Sequence, residues 1–233
     1  MLRLSVPRGT RGILIGQSGS GKTTLALALA DTMPPPLLVV DTKWSKGIGD
    51  WAKSRDVEIV HEFPSLKKLR KGDDFAVVWR PEPDLLGEPM ALDAHLDDLV
   101  RSRETCSVYI DELYQLHRAG RAGPGLIGLY TRGREMGFTT LAGSQRPAWV
   151  SAFCLTESDQ YYIMRLLMRD DRKKVGEMMG APQIADEILP EHWFWHAKQG
   201  AEPVLIRPLK VEQKMLDNDA ESVIQGDNGY FLV

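Results

Sequence analysis

The residues that could do chemistry begin with Gly16-Gln17-Ser18-Gly19-Ser20-Gly21-Lys22-Thr23, which fits G-x-x-x-x-G-K-[ST] at every fixed position. The apolar run Ile13-Leu14-Ile15 precedes it and a helical run from Lys22 to Met33 follows, the strand–loop–helix context this motif requires. Glycines let the backbone close around an anion so that successive N–H groups point at phosphate oxygens. The helix N-terminus adds partial positive charge. Lys22 can reach β- and γ-phosphates, and the Thr23 hydroxyl can ligate Mg²⁺. Together with Thr24, these residues form the expected phosphate-binding set for ATP. No base-reading motif is visible, so GTP stays open as a substrate.

A second group is Val108-Tyr109-Ile110-Asp111-Glu112. An apolar strand ending in Asp-Glu is the Walker B arrangement. Asp111 would hold Mg²⁺, directly or through water, and Glu112 would orient and polarise the attacking water. A third is Gln145, at the end of the strand Thr139–Gly143. In an open parallel sheet that strand is expected beside the Asp-Glu strand, which brings the Gln145 amide near the γ-phosphate as a sensor of hydrolysis. Two acids can also serve a helix dipole, and an amide before Pro147 can be a turn residue.

These groups need an α/β domain to position them. Leu37-Leu38-Val39-Val40 reads as a buried parallel strand ending in Asp41. Thr42 to Asp50 reads as a loop, with Lys43 and Trp44 beyond the strand's carboxyl end, where ligands bind in open α/β sheets. Strands are expected at Val57–Val60, Phe75–Trp79, Ser107–Ile110, Tyr161–Arg165, Trp193–Ala197 and Val204–Arg207. Helices are expected at Leu92–Arg101, with Leu92, Leu96, Leu99 and Val100 on one face, at Leu126–Met136, and from Asp170. Ser65 would cap a small helix carrying Lys67, Lys68, Arg70 and Lys71. The chain divides into one domain, 1–210, and a polar tail, 211–233, held loosely or docked on a neighbour.

With 233 residues and 43% hydrophobic content there is ample material for one core. A net charge of −3 excludes a globally basic nucleic-acid coat, so nucleic-acid contact must come from local patches. Cys106 and Cys154 lie in apolar, strand-like runs and read as buried thiols of a reducing compartment. No apolar run is long enough for a bilayer and there is no signal-peptide core. His192 and His196 flank Trp193-Phe194-Trp195, and a spacing of four would place both on one face. A zinc site there would need further ligands.

Gly16–Thr23, Asp41-Thr42-Lys43, Ile110-Asp111-Glu112, Arg132-Gly133-Arg134-Glu135-Met136-Gly137 and Gln145-Arg146-Pro147 occur in this order. Together they resemble the HerA/FtsK superfamily of DNA-pumping ATPases over about residues 10 to 210. Ser144 stands where many relatives carry Thr, a mild departure. The chain leaves no room for the β-barrel of HerA-type helicases, the winged helix and membrane spans of FtsK-type translocases, or a terminase nuclease. It resembles the compact genome-packaging ATPases of icosahedral viruses, especially those with an internal membrane.

The resemblance implies a P-loop fold with a mainly parallel sheet and helices on both faces. It also implies an ATPase coupled to double-stranded DNA movement, in a pentameric or hexameric homo-oligomeric ring at a capsid or portal vertex, in the host cytoplasm or on the virion. In such rings a neighbour's arginine completes the site. Arg134, Arg132 and Arg146 are the candidates, Arg134 first, because a guanidinium fork matches charge spread over phosphoryl oxygens. Arg118, Arg121 and Lys67–Lys71 could meet DNA phosphates. A cellular or plasmid DNA pump is the alternative within the superfamily. A small-molecule or nucleotide kinase is the alternative outside it, disfavoured because Asp111-Glu112 and Gln145 suit water as acceptor. No LSGGQ-like stretch of an ABC transporter separates the two motifs.

Overall fold

The computed structural model describes residues 3–65, 75–118, 120–207 and 231–232. Its strands in chain order are β1 (Arg3–Leu4), β2 (Arg11–Ile15), β3 (Leu37–Val40), β4 (Glu58–Val60), β5 (Ala76–Trp79), β6 (Ser107–Ile110), β7 (His117–Arg118), β8 (Arg121–Ala122), β9 (Thr139–Ser144), β10 (Gln160–Met164), β11 (Phe194–Lys198), β12 (Val204–Ile206) and β13 (Phe231–Leu232). Nine of them form one sheet in the order β12-β11-β10-β2-β9-β6-β3-β5-β4. From β10 to β4 every neighbour is parallel. β11 and β12 extend the β10 edge antiparallel. The strand ending in Ser144 therefore lies between the P-loop strand β2 and the acid-pair strand β6, in the neighbourhood the sequence led us to expect.

Central strands are apolar on both sides because both faces are covered. On one face Leu14, Val39, Tyr109, Leu141 and Tyr162 pack under Leu25 and Leu29 of helix α1 (Lys22–Ala30) and Ile48 and Trp51 of helix α2 (Lys46–Ser54). On the other, Ile13, Ile15, Val40, Val108 and Ile110 pack under Leu92, Leu96 and Leu99 of the Pro89–Arg101 helix and Leu126 and Leu129 of the Pro124–Tyr130 helix. Gly125 and Gly128 let those two helices touch, since a Cβ on Gly125 would stand 2.3 Å from the Asp93 carbonyl oxygen. The buried Asp93 carboxylate accepts the N–H groups of Gly125 and Leu126 at 2.8 and 2.9 Å and so caps the second helix.

Some local expectations are corrected. Thr42 to Asp50 is not all loop, because α2 begins at Lys46. Gly47 and Gly49 hide its propensity, but Ile48, Trp51 and Ala52 bury one face and the Trp51 indole donates to Asp31. The expected helix Leu126–Met136 is two, Pro124–Tyr130 and Arg132–Met136, broken at Thr131, whose ψ of −83 leaves the helical range. Cys154 sits in the helix Ala152–Thr156, not a strand, while Cys106 and Cys154 are both buried and neither is in a disulfide. β7 and β8 form a small antiparallel hairpin between the acid pair and the Pro124–Tyr130 helix. Lys67, Lys68, Arg70, Lys71 and most of the expected tail lie outside the described residues. Of that tail, Phe231–Leu232 pair in parallel with Arg3–Leu4 of their own chain. Among the described residues no helix is long and apolar enough to cross a membrane.

Candidate nucleotide-binding and hydrolysis site

The P-loop is fixed by the strands on either side of β2. The Gly16 N–H donates to the Ser144 carbonyl at 3.1 Å, and the Gln17 N–H donates to the Arg165 carbonyl at 3.0 Å. A Cβ on Gly16 would meet Met164 Cβ and Ser20 Oγ at 2.7 Å, so only glycine fits there. Gly19 and Gly21 have φ of 77° and 95°, the left-handed turn that points the loop's amides inward. No side chain caps α1, which leaves its first-turn N–H groups for an anion. Lys22 folds back and donates to the carbonyls of Gly16 at 2.6 Å and Gln17 at 2.9 Å. Burial, with a smaller push from Lys43, lowers its pKa to about 8, against the pull of Glu112 and Asp111. Gln17 and Thr23 are half-buried, and Ser18, Gly19 and Thr24 are exposed at the mouth.

The acid pair sits where β6 ends. Asp111 is 2% and Glu112 6% exposed. The Tyr109 hydroxyl donates to Asp111 Oδ1 at 3.1 Å. Burial and the neighbouring Asp111 push that phenol's pKa well up, so it remains a donor. Asp111 Oδ2 is buried without a hydrogen-bond partner. The backbone N–H of Gln145 donates to Glu112 Oε1 at 3.4 Å. The end of β9 thus touches the acid through its main chain. A Cβ on Gly143 would stand 2.6 Å from the Asp111 carbonyl oxygen, so this glycine is what lets β9 close onto the acid pair.

Lys43, expected at the ligand-binding end of β3 but with no role given, reaches the acid pair. Lys43 Nζ lies 3.2 Å from Asp111 Oδ2 and 3.5 Å from Glu112 Oε2. Its loop is built around buried Asp41. One Asp41 oxygen accepts Arg80 Nε and Nη2 at 2.9 and 2.7 Å, and the other accepts the Ser45 N–H at 2.9 Å. Burial raises the Asp41 pKa in spite of these bonds. Trp44, at a φ of 53°, donates from its indole to the Pro81 carbonyl. The readable sign was a charged Asp-Thr-Lys directly after a buried strand; what could not be read was Arg80 arriving from β5.

The three arginines separate. Arg134, 57% exposed at its side chain, lies at the N-terminal end of β9 with Nη1 3.7 Å from Asp159, which Arg11 already holds. Arg132 is exposed on the same short helix. That is the sheet edge opposite the chain's own P-loop. Arg146 lies on the P-loop edge, donates to buried Asp171 at 2.8 Å and stacks over Trp149 at 4.9 Å. The histidines do not share a face: His192 lies in the turn before β11 with a φ of 65°, and its Nδ1 is 3.1 Å from where a Gly21 Cβ would be. His196 is buried in β11 against Tyr162 at 4.9 Å.

A divalent cation fits this chemistry. Asp111 Oδ2 is a buried oxygen that accepts no hydrogen bond and has the Lys43 ammonium, 3.2 Å away, as a charged neighbour, and Thr23 brings a hydroxyl at the start of α1. Among the described residues no group of three or more His, Cys, Asp or Glu could hold a metal ion, so a cation beside Asp111 would complete its shell with phosphate oxygens and water.

The sheet order and the phosphate loop that follows β2 are the architecture of a P-loop α/β fold. In sequence the chain is similar to the DNA packaging ATPase P9 of Enterobacteria phage PRD1, 25% identical over 181 residues that span 75% of this chain and 72% of that protein. In structure it is similar to the genome packaging NTPase B204 of Sulfolobus turreted icosahedral virus 2 in complex with ATP-gammaS, with a TM-score of 0.63, 14% identity, and coverage of 87% of this chain and 98% of that one. It is also similar to the cytoplasmic domain of the type VII secretion ATPase EccC of Thermomonospora curvata, with a TM-score of 0.52, 20% identity, and coverage of 91% of this chain and 26% of that one. No family model matches the chain.

Proposed function

We propose that this chain is an ATP-hydrolysing motor that moves double-stranded DNA, packaging a viral genome into a preformed capsid. The observation that supports the reading is the 25% identity to the packaging ATPase P9 over 72% of that protein, with a fold that matches 98% of B204.

The mechanism follows from the charges. A triphosphate entering the loop would meet the first-turn amides of α1 and draw Lys22 off the Gly16 and Gln17 carbonyls. Thr23 and Asp111 would hold Mg²⁺, which when bound neutralises phosphate charge. Glu112, held by the Gln145 N–H, would orient the attacking water and take its proton. Loss of the γ-phosphate would relax Glu112 and pull on Gln145, a main-chain route from hydrolysis into β9. Arg134 would serve a neighbouring subunit in a ring, because it faces away from its own P-loop. Arg121, exposed in the β7–β8 hairpin, is a candidate for DNA phosphates.

Triplex displacement tests this directly. The protein with ATP and Mg²⁺ should strip a third strand from a long duplex, and Lys22→Ala should not. A wild-type protein that hydrolyses ATP and never displaces the triplex, in rings of defined mass, would count against the motor.

A further inference from the structure

Lys43 belongs to the site, yet the chemistry above does not use it. Its ammonium lies between the two carboxylates, 3.2 Å from Asp111 Oδ2 and 3.5 Å from Glu112 Oε2. The side chain is 28% exposed, while those of its partners are 2% and 8% exposed, so a reachable cation sits on two acids that water scarcely touches. The other ammonium, Lys22, is bonded to loop carbonyls and not to the acids. The loop under Lys43 is held at both ends, by Asp41 through Arg80 and Ser45 and by the Trp44 indole on Pro81. Lys43 is thus aimed, not left loose.

We propose that Lys43 is the internal counter-ion of the acid pair before nucleotide arrives, occupying the contacts a divalent cation would take on Asp111 and Glu112, and that incoming metal-nucleotide displaces it toward the terminal phosphate. The inference rests on reading Asp111 and Glu112 as the metal-side and water-side acids. Two cations cannot share one carboxylate oxygen at about 3 Å without strong repulsion. An ammonium forced off that oxygen finds its nearest new anion in the phosphates beside it. Two consequences follow. Metal alone binds poorly, so it enters with the nucleotide. Glu112 stays paired with Lys43, and so cannot act on water, until a nucleotide has arrived.

The experiment is Mn²⁺ binding to the full chain without nucleotide or DNA, read by electron paramagnetic resonance. Lys43→Met and Lys43→Gln keep the length of the side chain without its charge, and circular dichroism checks that each is folded. Both should bind Mn²⁺ about tenfold or more tightly than wild type, while Lys43→Arg stays close to wild type. Asp111→Asn added to Lys43→Met should abolish the gain. In EDTA, ATP-gammaS binding to Lys43→Met should weaken about fivefold or more, since a phosphate partner is lost. Mn²⁺ affinity within about twofold of wild type in both folded variants would overturn the proposal. A gain that survives Asp111→Asn would instead overturn the reading of Asp111. Neither readout involves DNA or turnover, so failure of the motor reading shows up separately.

Discussion

Arg134→Ala is the perturbation whose consequences divide most sharply. In the folded chain the residue does little: its contact with Asp159 is 3.7 Å long, and Arg11 holds Asp159 in any case. An exposed pair of that kind contributes at most about 1 kcal/mol, so thermal stability should barely move. Action on its own nucleotide is excluded by distance. Arg134 precedes β9, whose six residues run to Ser144 beside the P-loop, and at about 3.3 Å per residue that is roughly 20 Å, beyond a guanidinium's reach. If it completes a neighbour's site, its loss should cost about 10³–10⁵ in kcat, or about 4–7 kcal/mol of transition-state stabilisation. The assay is steady-state ATP turnover on Arg134→Ala alone, then mixed in equal amount with Lys22→Ala. Each variant alone should be dead. In randomly mixed rings about a quarter of interfaces pair an intact P-loop with an intact arginine, so about a quarter of wild-type turnover should return. Full turnover by Arg134→Ala alone would refute the assignment. No recovery in verified mixed rings would refute its action between subunits.

Other perturbations follow from the same site. Glu112→Gln keeps the acceptor for the Gln145 N–H but removes the base, so it should bind ATP with near wild-type affinity and turn over at least about 10²-fold more slowly; equilibrium binding and single-turnover rates separate the two. Gly143→Ala puts a methyl 2.6 Å from the Asp111 carbonyl oxygen, which forces β9 off β6, so a loss of about 1–3 kcal/mol in urea unfolding should accompany loss of turnover. His196, buried against Tyr162, has its pKa lowered from 6.5 to about 4, first by burial and then by Lys198. As pH falls the unfolded chain therefore takes up this proton first. The stability His196 confers is full above about pH 6.5 and declines toward pH 4 by about 3 kcal/mol. In His196→Phe the unfolding midpoint should lose that part of its acid sensitivity, and an unchanged pH profile would count against the burial argument.

Much of this was legible in the sequence, for identifiable reasons. Leu37–Val40 and Ser107–Ile110 were readable because a strand covered on both faces must be apolar throughout, and the acids that end them stood out. Gly16–Thr23 was readable because phosphate contact constrains backbone and residue type together. The helix at Lys46–Ser54 was not, since two glycines conceal a helix held by the Trp51–Asp31 bond and tertiary packing. Lys43 was legible at the ligand-binding end of its strand, but its contact with the acid pair was not, because that depends on Arg80, next to another strand, to fix Asp41. The histidine pair was misjudged because regular spacing means a shared face only inside a regular element, and His192 lies outside β11. The arginines were visible as types, but only the sheet order shows that Arg134 and Arg146 lie on opposite edges.

The most direct measurement is ATP turnover with and without long double-stranded DNA, on protein whose ring mass is established by light scattering, with Glu112→Gln as the control. The account predicts turnover that rises severalfold with duplex DNA and vanishes in the variant. Turnover from the assembled ring that ignores duplex DNA, or that persists in Glu112→Gln, would contradict it.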